Sequence, residues 1–159
     1  MPNVENLKAL AHGLRTVVKP ERFDLEYYVS GNPEELTDDA CGSAGCALGW
    51  CPVIFPGQWW WSSGINLPAI IDERSPSSSA RKFFDINHDA FGYLFLSDYY
   101  PPAEWRNPIA VANRIDALIE GGEAWEAVMR EADECEQINA DDGYDDSDED
   151  SWDEEDEDE

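Results

Sequence analysis

From Asn3 to Val18 the apolar residues Val4, Leu7, Leu10, Ala11, Leu14, Val17 and Val18 recur every three or four positions. With Asn3 as a cap and Pro20 beyond the end, this spacing predicts an amphipathic helix. A second predicted helix runs from Pro108 to Glu120: Asn107 caps it, Pro108 takes its first position, and Ile109, Val111, Ala112, Ile115, Leu118 and Ile119 form its stripe. Gly121 stops it. Ala124, Trp125, Val128, Met129, Ala132 and Cys135 extend the same period from Glu123 to roughly Gln137, a last amphipathic helix. Two shorter helices are predicted at Ala80 to Phe84 and Asn87 to Leu96, joined by a tight turn.

Between these elements the pattern is weaker. Phe23 to Val29 alternates only briefly before Ser30-Gly31-Asn32-Pro33 interrupts it, which fits a short strand or one helical turn. Cys41 to Ile54 is rich in Gly and Ala, and we expect a buried helix whose small residues let its backbone pack closely. Pro56 to Ser79 is rich in Ser, Pro and Gly around Trp59-Trp60-Trp61, which reads as a long surface loop with a short helical turn at Leu67 to Asp72. The expected fold is therefore mainly α: a bundle of about five or six short helices with a Trp-rich loop over residues 1–138, then a disordered polyacidic tail over 139–159.

Charge changes the picture at that tail. The chain of 159 residues carries a formal charge of −26. All ten Lys and Arg lie at or before Arg130, whereas 18 of the 36 acids follow it, so ten bases against 18 acids leave −8 on the first 130 residues and −18 on the last 29. A segment so charged repels itself and has too little apolar area to offset the entropy of ordering. Its field repels nucleic acid and anionic membrane and attracts basic protein surfaces. No stretch approaches the roughly 20 apolar residues of a membrane span, and the N-terminal residues lack a signal-peptide plan. The expected location is the cytoplasm, with the four cysteines as thiols.

The block Cys41-Gly42-Ser43-Ala44-Gly45-Cys46-Ala47-Leu48-Gly49-Trp50 resembles the Cys-Gly-Thr-x-x-Cys-x-x-Gly-Trp/His signature of small uncharacterised proteins of bacteria and their phages, with Ser43 where Thr is usual. The resemblance extends over about residues 20–121, through Phe23-Asp24-Leu25, Phe83-Phe84-Asp85-Ile86, Tyr100-Pro101 and the helix ending at Gly121. It implies a compact helical domain of bacterial or phage origin and carries over no catalytic residue. The triple Trp and the acidic tail depart from that pattern.

Chemistry has little support. Cys41, Cys46 and Cys51, with Cys135, His12 or His88, would supply four ligands, but their C-x4-C-x4-C spacing departs from zinc sites, and on a helix each step of five turns the thiol by about 140°. A redox pair of Cys41 and Cys46 lacks the C-x-x-C plan. No nucleophile elbow, phosphate loop or H-E-x-x-H is present. We expect no enzyme, metal or cofactor.

Recognition has more. Three adjacent indoles cannot all enter one core, and exposed Trp is typical of binding hot spots. Trp59, Trp60, Trp61, Tyr99, Tyr100 and Trp105 are therefore the candidate contacts of the body. In the tail, 14 of 19 residues from Asp141 to Glu159 are acidic; extended, they fall about one per 4.6 Å, close to the single-strand phosphate repeat of about 3.4 Å. Asp145, Asp146, Asp148, Glu149, Asp150, Asp153, Glu154 and Glu155 would stand for phosphates, and Tyr144 and Trp152 for bases. The expected function is an acidic phage or bacterial accessory protein that inhibits or regulates a nucleic-acid-handling host factor, such as a defence complex, nuclease or polymerase, by nucleic-acid mimicry. Its partner would be a basic host-protein surface, with no direct binding of nucleic acid or membrane. A helical interaction domain with a solubilising tail is the alternative, and a Cys-based metal or redox protein the third.

Overall fold

The computed structural model describes residues 1–29, 36, 44–62 and 67–143, with backbone only for 141–143. Six α-helices lie among the described residues: α1 (Val4–Thr16), α2 (Cys51–Ile54), α3 (Pro76–Phe84), α4 (His88–Phe95), α5 (Pro108–Glu120) and α6 (Gly122–Gly143). The mainly helical expectation holds. One two-stranded antiparallel sheet joins β1 (Trp59–Trp61) to β2 (Pro68–Ile70), with Trp59 opposite Ile70 and Trp61 opposite Pro68.

The helices begin where side chains take up free backbone N–H groups. Asn3, Ser75, Asn87 and Asn107 accept from Asn6, Ser78, Ala90 and Ile109 respectively. Leu7, Leu10 and Leu14 of α1 face Val111, Ala112 and Ile115 of α5 across the centre of the fold, all fully buried. Arg15 ties the outer edges of that pair, donating to Asp116 at 2.6 Å and to Asn113 at 3.0 Å. A second half of the core is aromatic: Phe55, Trp59, Phe83 and Phe84 meet largely edge to face, with Phe55 4.9 Å and Trp59 5.6 Å from Phe83. That geometry sets positive ring edges against negative ring faces.

The structure corrects several expectations. Cys41 to Ile54 is not one helix over its described part: residues 44–50 form a bridge and a turn, and only Cys51–Ile54 is helical. The small residues serve another purpose, admitting a neighbouring backbone. Gly45 pairs with Phe23, donating to the Arg22 carbonyl at 2.9 Å and accepting from Asp24 at 3.1 Å. A Cβ on Gly49 would lie 1.7 Å from the Tyr28 carbonyl oxygen. The Trp run is a strand of a hairpin, since alternate indoles then face opposite sides, and Leu67 to Asp72 holds β2 in place of a helical turn. The third helix starts at Pro76, ahead of the expected Ala80.

Phe23 to Val29 is neither of the two forms expected; a 3-10 turn at Pro20–Arg22 leads into the single bridge at Phe23 and then turns. The last helix runs beyond Gln137 to Gly143. The rest of the expected tail lies outside the described residues, as do Cys41 and Ser43 of the cysteine block.

Candidate functional site

The expected aromatic contacts are divided by the fold. Trp59 and Tyr100 are core side chains, 1% and 0% exposed. Trp61 is half-buried, its indole N–H donating to the Gly49 carbonyl at 3.0 Å, and Trp105 donates to the Ser97 and Tyr100 carbonyls. Trp60, on the outer side of β1, is 47% exposed and is the member of the set with most surface to offer. Tyr144 and residues 145–155 lie outside the described residues.

Tyr100 and Tyr99 instead take part in placing α6. Tyr100 donates to the Leu94 carbonyl at 2.8 Å, and burial pushes its hydroxyl well above the usual range although Arg114 pulls the other way. The Arg114 guanidinium lies 3.6 Å over the Tyr100 ring and donates through Nη1 to the Tyr93 carbonyl at 2.9 Å, while its Nη2 has no hydrogen-bond partner. Stacking on the ring face holds this buried cation between α5 and the loop after α4. Above it, Tyr99 donates to Glu136 at 3.4 Å, and Asn139 donates to the Asp98 and Tyr100 carbonyls at 2.9 and 3.2 Å.

Tyr93 of α4 donates to Asp133 of α6 at 3.0 Å. Desolvation first, then the hydrogen bond and charge of Asp133, push its hydroxyl up to about 12, so it remains a donor throughout the neutral range. Its ring meets Trp125 edge on, 6.1 Å between centroids. Because Tyr93 holds the two helices through one side chain, space remains on either side of it. One cavity of about 550 Å³ has an apolar floor from Ile86, Ala90, Leu118, Trp125 and Met129. A neighbouring one of about 570 Å³ continues past Tyr93 and Met129 to Glu126, Arg130 and Asp133. Together they form an open groove between α4 and α6. Five exposed carboxylates, Asp85, Asp89, Glu123, Glu126 and Asp133, rim it, against two cations, the Arg130 guanidinium and the N-terminal ammonium of Met1, which lies 3.6 Å from Asp85.

The outer side of α6 is also acidic. Trp125, Val128, Met129, Ala132, Cys135 and Asn139 face the body, which leaves Glu123, Glu126, Glu131, Asp133, Glu134 and Glu136 exposed to solvent along the rest of the helix. Sequence periodicity identified the inward stripe. It did not identify the groove, because a groove requires α4 as the second wall; the one signal was the coincidence of Trp125 and Met129 with flanking acids.

The cysteines do not join this site. Cys46 and Cys51 are buried, and burial pushes Cys46 up to about 11 and Cys51 well above its ordinary value, which keeps both as thiols at neutral pH. Cys135 lies on α6, half-buried. His12 and His88 are exposed. Among the described residues, no three of His, Cys, Asp and Glu are gathered as metal ligands, and no helix is long and apolar enough to cross a membrane. Comparison with family models, curated proteins and solved structures returns no match.

Proposed function

We propose that this chain is a phage or bacterial accessory protein that acts by binding rather than by catalysis, and that it inhibits or regulates a nucleic-acid-handling protein by occupying its basic groove. The observation that carries this reading is the placement of acid on α6. The helix presents the carboxylates of Glu123 to Glu136 outward, is anchored to the body through Tyr93 and Tyr99, and leads directly into the acidic run at 144–159. From Glu123 to Glu159 there are twenty acids against one Arg.

The spacing is suited to the task. The eight acids of α6 are distributed along about 33 Å, or about one per 4 Å of axis, against a phosphate repeat of about 3.4 Å on a single strand. A partner that tracks phosphates with Lys and Arg meets a comparable charge density here. The long reach of such a field accelerates encounter with basic surfaces, and salt shortens that reach.

The test is capture from host lysate by the full chain and by a chain ending at Gly143, at low and high salt, with a duplex oligonucleotide as competitor. The expected capture is a nucleic-acid-binding protein that salt and oligonucleotide both release and that the shortened chain holds weakly. The reading fails if the same proteins are captured regardless of truncation, salt and oligonucleotide; the acidic run then serves solubility alone.

A further inference from the structure

We propose that the groove between α4 and α6 is a docking site for a basic segment of the partner that carries one large apolar side chain between lysines or arginines. This deepens the preceding reading and rests on it, since it takes the partner to be basic. Acid on the surface selects for charge but says little about sequence. The groove adds a second requirement, because its floor is apolar where its rim is charged.

Each part of the groove has a counterpart in such a segment. Ile86, Ala90, Leu118, Trp125 and Met129 offer apolar surface in a cavity of about 550 Å³, room for the largest side chain. Trp125 and Met129 stand one turn apart on α6, so an entering side chain meets an indole and a thioether that adapts to its shape. The rim carboxylates lie on both walls: Asp85 and Asp89 by α4, Glu123, Glu126 and Asp133 on α6. Cations flanking the apolar residue on either side thus find partners. Asp85 already receives an ammonium, the N-terminal one, at 3.6 Å. The sign of the rim disfavours nucleic acid, phosphopeptides and anionic lipid surfaces.

The same geometry separates two contributions to binding. The outer face of α6 and residues 144–159 contribute mainly charge, which any basic peptide uses; their few apolar groups, Ile138, Tyr144 and Trp152, are untouched by substitutions in the groove floor. The groove contributes apolar burial, which is insensitive to salt and requires the anchor.

The probe is a short fluorescein-labelled peptide of lysines and arginines with one central tryptophan, compared with the same peptide bearing serine there, by anisotropy on the full chain. We expect the tryptophan peptide to bind at least about tenfold more tightly, the effect of burying one large side chain, with the ratio preserved at high salt. Trp125→Ala should bring the ratio near one; if circular dichroism shows that variant to have lost helix, Met129→Gln, which makes the floor polar, serves the same purpose. Asp89→Lys with Glu126→Lys should weaken both peptides.

Equal binding of the two peptides, lost on removing residues 144–159, overturns the groove and leaves the basic-partner reading intact. A tenfold preference that survives in a folded floor variant also overturns the groove. Binding of neither peptide at low salt overturns both proposals.

Discussion

Gly49→Ala is the smallest substitution with a large expected effect. The added Cβ would lie 1.7 Å from the Tyr28 carbonyl oxygen and 2.9 Å from its carbon, both backbone atoms that no rotamer change can move aside. Carbon and oxygen approach to about 3.3–3.6 Å even in close backbone contacts, so the two segments must part by roughly 1.6 Å. That displacement would pull against the neighbouring bond from the Cys46 N–H to the Tyr27 carbonyl, now 2.9 Å. Overpacking costs about 1–3 kcal/mol and the lost bond about 1 kcal/mol. The expected loss is therefore about 3 kcal/mol, a large part of the 5–15 kcal/mol typical of a domain. Unfolding should shift down by about 10 °C, at about 2–4 °C per kcal/mol for a chain of this size. Gly57→Ala is the control: its φ is +81° and nothing lies within 4 Å of the new Cβ, so only the left-handed backbone costs, about 1–2 kcal/mol. Urea titrations followed by circular dichroism compare them. A Gly49→Ala variant no less stable than Gly57→Ala would refute the close approach of the two backbones.

The three adjacent Trp should separate by burial: Trp59→Ala should cost about 3–5 kcal/mol, Trp60→Ala less than about 1 kcal/mol, as read by the same titrations. Trp59→Phe should fall well below Trp59→Ala, since it also removes a buried indole N–H that has no partner. Arg114→Ala should cost about 2–4 kcal/mol through loss of the ring contact, the bond to Tyr93 and packing volume, whereas Arg114→Met, which keeps the volume and removes an incompletely bonded buried cation, should cost less than half of that. In alkali, the pKa of Tyr93 rises from 10.0 to about 12 on folding. A raised pKa contributes stability that is complete below pH 10 and is lost as pH rises toward 12, so the unfolding midpoint should fall across that window. Tyr93→Phe should flatten the fall without abolishing it, since Tyr28, Tyr99, Tyr100 and the three described cysteines are shifted in the same direction.

The elements legible in the sequence were those whose beginning, stripe and end agreed. The helix at Pro108–Glu120 has an Asn cap, Pro at its first position, period-four apolar residues and a terminal Gly, and it is found with those bounds. The β1 and β2 strands were illegible because three residues are too few to display a period of two, and Trp59-Trp60-Trp61 has no polar residue to mark the outer face. Residues 44–50 misled for another reason. Small side chains signal close approach without saying of what, and here the approaching group is the Tyr28 backbone, a long-range contact that no local pattern encodes. The groove was out of reach on the same ground. Trp125 and Met129 read as part of one stripe, and Tyr93 as an unremarked position of a separate short helix, until Tyr93 bonds Asp133 and sets the helices side by side.

The attachment of α6 has a thermodynamic consequence. Among its described side chains Ala132 is the fully buried apolar one, and much of its hold on the body is polar, through Tyr93, Tyr99 and Asn139. Such a helix opens locally at a lower free energy than α1 and α5, whose apolar faces are sealed against each other, so its amides should exchange with solvent first. Whatever fills the space against α4 binds only the closed form. Its apparent affinity is the intrinsic one multiplied by the closed fraction, and any change that loosens Tyr93 or Asn139 weakens binding without touching the ligand. A bound ligand in turn slows exchange along α6, and slows the α1 and α5 amides only in so far as they exchange through openings that also break its site.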